Sequence, residues 1–230
     1  MNLFRIKQQL PLVLSVMRHY EDQELKTKHV RSILAAIENF HFTFTAIASQ
    51  RSSGGISFMY ALAARDLYQT KNLEAKVKCL QKFQKEKLAT KQPQYSEFEP
   101  SFLELKYSSQ LTKQKNLVRY ILTKIYQRNT VGIPIDSEQM TIEHLAPENP
   151  PKATGLSPEE IASIGNLILV DQALNNELAN KTFADKVKIL KNAQVWVDPV
   201  ILKARAWGAA EIKARTKELA EDAYNHVWSL

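Results

Sequence analysis

Apolar residues at helical spacing dominate this chain, and only two short extended runs break that pattern. Val30, Ile33, Leu34, Ile37, Phe40, Phe44, Ile47 and Ala48 recur three and four apart over roughly five turns. The same period marks helices around Leu12–His19, Ile56–Leu67, Leu73–Leu88 and Leu117–Ile125, with Pro11 near the first turn of the earliest. Arg51-Ser52-Ser53-Gly54-Gly55 breaks the second helix, and Gln92–Pro100 is expected to be a connector. After Thr130 the pattern changes. Pro134 and Pro147 bracket an extended run ending at His144, and Leu167–Val170 is a second short apolar strand. Between them, Ser157-Pro158-Glu159-Glu160 has the form of a capped helix start. Asp171 can cap the segment after the second strand, and Phe183–Leu190 continues as helix. Pro199 interrupts, and a final amphipathic helix runs from about Ala209 to Trp228 with Ile212, Leu219, Ala223 and Val227 on one face. The order strand, loop, strand, helix is a ββα unit. The fold class expected is mainly α (α+β): a helical bundle over 1–130, then a smaller ββα domain over 131–230 with C-terminal helices.

A hydrophobic content of 44% is enough for a real core. No apolar run approaches the roughly 18–20 residues that span a bilayer, so no membrane partner is expected. Met1–Leu14 lacks an apolar core followed by a small-residue cleavage site, so no signal peptide is expected. Cys79 is the only cysteine. An internal disulfide and a Cys-rich zinc site are therefore excluded, and a reducing cytoplasm is the expected compartment.

The formal charge is +7, which mildly favours a polyanionic partner. Its distribution says more. Lys71–Lys91 holds seven lysines against Glu74 and Glu86, and Lys181–Lys217 holds nine basic residues against Asp185, Asp198 and Glu211. Asp136–Glu160 holds six acids and one base, Lys152. Cations for a phosphate backbone and carboxylates for a metal are what metal-assisted phosphodiester chemistry needs. Solvated helix faces and an acidic loop produce the same charge pattern.

The acidic stretch contains Thr141-Ile142-Glu143-His144-Leu145-Ala146-Pro147, followed by Ile164-Gly165-Asn166-Leu167, Leu174-Asn175-Asn176 and Asn180-Lys181. Phosphodiester hydrolysis needs an activated water and relief of negative charge on the leaving oxygen. A neutral imidazole can take the proton, and one divalent ion can neutralise the charge. A hard cation prefers oxygen donors such as a Glu carboxylate and an Asn amide. Adjacent residues of a strand point to opposite faces, so Glu143 and His144 can share a site only if the strand ends at His144.

The order Glu143-His144-x-x-Pro147, Gly165-Asn166-Leu167, Asn175, Asn180-Lys181-x-Phe183 resembles the HNH branch of the His-Me finger nucleases. More narrowly, it resembles the C-terminal nuclease domain of GmrSD-type restriction proteins and their Ssp-type phage-defence relatives. The likeness covers Leu117–Lys191 and extends to the tail through Trp207, Ile212, Arg215 and Trp228. It implies a DNA endonuclease effector with a small ββα-metal core. His144 takes the place of the general base and Glu143 that of the metal-binding acid. Asn175, rather than Asn176, matches the helix-borne metal ligand. Asn166 matches the residue that holds the loop and orients the histidine, and Lys181 is placed to contact a phosphate. A Glu and an Asn in the ligand positions, where HNH sites have Asp and His, imply weak binding of Mg²⁺ or Mn²⁺, with Mn²⁺ the more effective. Family proteins also carry an N-terminal NTP-handling sensor module with an Asp-Gly-Gln-Gln-Arg-like motif. This sequence has no such motif and no Walker-type loop, which favours the C-terminal part of a larger protein over a standalone effector.

Two other functions remain open from sequence: a DNA-binding or partner-docking module that keeps the ββα fold with weak or no catalysis, and an RNase using the same site. His19, His29, His41 and His226, in helical surroundings away from acid–His pairs, are expected to be structural or surface residues. Trp196, Trp207 and Trp228 are expected to be core anchors, and Cys79 a half-buried filler.

Overall fold

Helical spacing in the sequence becomes helix in space. A computed structural model describes residues 6–49, 54–130, 139–150, 153–193 and 195–230. The chain divides into two compact units, Met1–Phe98 with Trp228–Leu230, and Glu99–Val227.

In the first unit, α1 (Leu10–Glu21) starts with Pro11 in its first turn, where a missing N–H costs nothing. α2 (Thr27–His41) runs into a wider π turn over Phe42–Ile47. α3 spans Gly54–Gln69, and α4 (Leu73–Phe83) ends in a π turn, Gln84–Leu88, and a short 3-10 turn, Ala89–Lys91. Residues 51–53 of the predicted helix break lie outside the described residues. The unit's core joins Leu12, Val16, Ile33, Ile37, Phe40, Tyr60, Leu67 and Phe83. His41 is wholly buried and hydrogen-bonds to the Tyr60 hydroxyl at 3.0 Å. His19 is a buried structural residue, as expected, though its Nδ1 pairs with the Glu24 carboxylate, an acid–His pair not foreseen from sequence. Trp228 anchors this unit by stacking on Phe42.

The predicted connector over Gln92–Pro100 is instead largely helix: α5 spans Tyr95–Leu103 with Pro100 inside it. Phe98 and Phe102, four apart, supply a buried face, and Glu97 folds back to accept the Gln94 N–H at 2.9 Å. The two prolines hide that spacing in the sequence.

The second unit holds α6 (Lys115–Asn129), whose Val118, Ile121, Leu122 and Ile125 are buried. β1 (Met140–His144) and β2 (Leu167–Asp171) pair antiparallel, Met140 opposite Asp171 and His144 opposite Leu167. Pro134, at one end of the predicted extended run, lies outside the described residues. α7 (Pro158–Ala162) and a 3-10 turn, Ile164–Asn166, fall between the strands. After β2 come α8 (Gln172–Leu178), α9 (Phe183–Asn192), α10 (Pro199–Lys203) and α11 (Ala209–Asp222), the last closing in a π turn over Ala223–Val227. Pro199, read from sequence as an interruption, opens α10 at its first position behind an Asp198 cap. Ser157, Asp171 and Thr182 cap α7, α8 and α9 through their side chains, each contributing about 1 kcal/mol. Among the described residues the chain is thus mostly helical, with one small sheet in the second unit, and no helix is long and apolar enough to cross a membrane.

Gly165 and Arg215 fix α11 against the start of β2. The buried Arg215 donates to the carbonyls of Gly165 (2.7 Å) and Leu167 (2.9 Å) and to the Asp198 carboxylate (3.1 Å). A Cβ on Gly165 would lie 2.3 Å from the Ile212 carbonyl, and a backbone atom cannot step aside. Gly165→Ala is expected to cost on the order of 3 kcal/mol through overpacking, read as a lower urea midpoint of the whole chain.

Candidate active site

β1 ends at His144, and this lets two neighbouring side chains serve one cleft. The chain leaves the strand there and turns through Pro147, so Glu143 and His144 both line an open cleft of about 280 Å³. Tyr107, Ser109, Glu148, Asn175, Asn180 and Lys186 complete much of its wall.

His144 is held by a segment distant in sequence. Residues 105–107 run antiparallel to 162–164: the Tyr107 N–H donates to the Ala162 carbonyl at 2.8 Å and the Ile164 N–H to the Leu105 carbonyl at 3.0 Å. The Tyr107 carbonyl so placed lies 2.9 Å from His144 Nε2, and the two rings stack. A carbonyl only accepts, so Nε2 carries the proton and the neutral ring's lone pair sits on Nδ1. Nδ1 has no protein partner among the described residues. Glu148 Oε1 stands 3.4 Å from Nε2, and its carboxylate is itself fixed by the Ser109 N–H at 2.9 Å and the Ser109 hydroxyl. Burial pushes the His144 pKa below the usual imidazole value, against the opposing pull of the Tyr107 carbonyl and Glu148.

Glu143 is buried and doubly bound. Its Oε1 accepts from the ammonium of Lys186, and its Oε2 from Asn175 Nδ2 at 3.1 Å. Lys186 is 0% exposed and also donates to the His144 carbonyl at 2.6 Å. Burial raises the Glu143 carboxyl pKa and lowers that of the Lys186 amine, and each charge partly offsets the other's shift. Asn175 is carried by α8, packed on β1 and β2. Its Nδ2 is engaged by Glu143, so its amide oxygen is the atom left for another partner. Ala179, at φ +40°, then turns the chain toward α9 along the cleft wall. A side chain rarely adopts that angle.

Asn166 lies behind the cleft, fully buried. Its Oδ1 accepts from the Ala146 N–H (2.8 Å) and the Trp207 indole (3.0 Å), and its Nδ2 donates to the carbonyls of Ala146 (2.9 Å) and Ile161 (2.7 Å). Its own carbonyl accepts from Leu145 at 2.9 Å. One amide thus clamps the backbone just after His144. Trp207, stacked on Phe183, is the core anchor expected of it.

The structure therefore brings Glu143, His144 and Asn175 together, sets Asn166 in support, and leaves Lys181 outside. Lys181 is exposed, and its ammonium folds onto the Glu177 carbonyl of α8. Sequence reasoning missed Lys186, Tyr107 and Glu148. Lys186 had a signal: with Phe183, Val187 and Leu190 it falls on the inward side of α9, where a lysine is out of place. Tyr107 and Glu148 had none, because chain folding alone brings them to His144. Among the described residues no group of three His, Cys, Asp or Glu is placed to hold a metal ion. The oxygen donors in reach are the Glu143 carboxylate and the Asn175 amide.

Fold and site together define a mostly helical protein whose polar cleft forms where a two-stranded antiparallel sheet meets a short helix. Residues 92–222, more than half of the chain, match the model of the family described as GmrSD restriction endonucleases, C-terminal domain, and the chain belongs to that family. No curated protein matches it.

Asn166→Ala would strand the Ala146 N–H, the Trp207 indole N–H and two carbonyls inside the protein. At about 1–3 kcal/mol for each buried group left unpaired, a loss of at least about 3 kcal/mol is expected in urea unfolding.

Proposed function

We propose that the chain is a divalent-metal-dependent DNA endonuclease of HNH type, with β1, β2 and α8 as its ββα core and His144 as general base. The observation that carries this reading is the contact between His144 Nε2 and the Tyr107 carbonyl at 2.9 Å. The Tyr107 carbonyl accepts a hydrogen bond from Nε2–H, which leaves the Nδ1 lone pair free to act as the base toward a water. Family membership supplies the reaction class: a restriction endonuclease acts on DNA, and the basic stretches offer cations for its backbone. Lys181, exposed and next to Asn180 on the cleft wall, is assigned to a flanking phosphate.

Glu143 and Asn175 fit a hard cation that keeps most of its waters. Two oxygen donors beside an open cleft suit Mg²⁺ or Mn²⁺ and would hold either weakly. Such an ion, when bound, supplies charge relief at the scissile phosphate and the leaving oxygen. Asn175 holds Glu143 oriented through its amide N–H, and Lys186 fixes the His144 carbonyl and hence the peptide that carries the base. Choice of target would rest with an NTP-handling module elsewhere in a longer protein.

A second reading, a DNA-docking module with the fold kept and the chemistry lost, draws on the Glu143–Lys186 ion pair, which already satisfies the carboxylate. Plasmid nicking separates the two. His144→Ala is expected to lower nicking in Mn²⁺ by about 10²–10⁴-fold, the usual worth of a general base, while DNA binding stays near wild type. Wild-type protein that binds DNA and never cuts it sinks the nuclease assignment, and a preference for structured RNA over supercoiled DNA redirects it to RNA.

The pH profile gives an independent check. Only the neutral imidazole acts as base, and burial holds the His144 pKa below its ordinary 6.5. A bound cation would push it in the same direction. Cleavage rate should therefore rise with pH along a limb centred below 6.5 and be level at neutrality. A limb centred above that value contradicts the assignment.

A further inference from the structure

The proposed chemistry leaves one buried charge without an electrostatic role. Lys186 is wholly buried, and its ammonium is aimed at the carboxylate assigned to the metal. A lysine that only stapled α9 to β1 could do so through the His144 carbonyl alone, at 2.6 Å. Its ion pair with Glu143 places a cation on one oxygen of the ligand that a divalent ion would share, while Asn175 occupies the other.

The charges facing the cleft can be summed by sign. Glu143 and Glu148 are the acids, Lys186 is the cation, and His144 carries no charge in the role of base. These total one negative charge. A divalent ion would turn that into one positive charge, which a phosphodiester, with its single negative charge, would cancel. Without DNA, the ion meets the field of Lys186 at close range in a partly dry site, where like charges repel strongly.

We propose that Lys186 is a resident counter-cation that competes with the divalent ion for Glu143, so that the free protein binds the ion weakly and fills the site together with a DNA phosphate. This rests on the reading of Glu143 as a metal ligand. In that role Lys186 is a positioning residue that tunes occupancy, since it touches the ligand and no reacting atom.

The test is Mn²⁺ binding by the chelator-treated full chain without DNA, followed by the loss of free Mn²⁺ signal in electron paramagnetic resonance. Lys186→Met removes the charge and keeps the bulk, and should tighten Mn²⁺ binding about tenfold, a gain expected from lifting one like charge at close range. Removal of a buried partner destabilises the fold, so Lys186→Gln, which retains a donor for Glu143, is measured beside it. Mn²⁺ should raise the melting midpoint of both variants more than that of wild type, because the ion replaces the missing charge. Equal or weaker Mn²⁺ binding in folded variants overturns the proposal. So does a failure of both variants to fold in Mn²⁺ as well as in chelator, which would make Lys186 a structural staple. The two levels of inference fail differently. Wild type that binds Mn²⁺ and cuts DNA while neither variant gains affinity removes only the role of Lys186. Wild type that neither binds millimolar Mn²⁺ nor cuts removes the metal-dependent nuclease reading and this role with it.

Discussion

The amide of Asn166 is the interaction on which the cleft depends. A buried primary amide has two donors and an acceptor oxygen with two lone pairs, and all are used here, two on the backbone of Ala146 and one each on Ile161 and Trp207. Because the amide lies out of water, each of these bonds counts at its unpaired cost rather than its net worth. The backbone after His144 therefore has one position available to it. The 3-10 turn before β2, which carries Asn166, is fixed in turn by Arg215 and by the side-chain-free approach of α11 at Gly165. Rigidity passes from α11 to the 3-10 turn, to Asn166, and on to the peptide just after the histidine.

The site is built on a second kind of constraint, a buried ion pair. Glu143 and Lys186 lose their hydration on folding, and mutual attraction only roughly offsets that cost. Such a pair is a poor source of stability and a good source of geometry. It ties β1 to α9, and through the His144 carbonyl it fixes the orientation of the neighbouring peptide. Ser109 and Glu148 give the opposite wall a matching arrangement, a carboxylate held by one residue's backbone and hydroxyl.

What could be read from sequence was local or motif-borne. Ser157, Asp171 and the apolar period of α2 and α6 act within a few residues of themselves, and the structure has them where they were expected. Glu143, His144, Asn166 and Asn175 were legible as an ordered motif, and three of the four share the cleft. Proline misled twice, since Pro100 sits inside a helix and Pro199 begins one. Both effects depend on neighbours, a buried Phe pair in one case and an Asp cap in the other. Lys181 and Lys186 illustrate the remaining limit. The motif points to Lys181, which is exposed, while Lys186 reaches the cleft through burial against the folded neighbours of α9, which the motif does not encode.

The bonds that define the cleft are long in sequence. Tyr107 lies 37 residues before His144, Lys186 lies 42 after it, and Trp207 lies 41 after Asn166. Loop closure must be completed over each of these spans before the contact gives anything back. On the ribosome, then, the helices that precede the strands can form while the cleft does not yet exist. A nascent chain cannot complete the frame of the cleft until α11 and its Arg215 have emerged, and a chain that stops short of them carries the histidine without that frame.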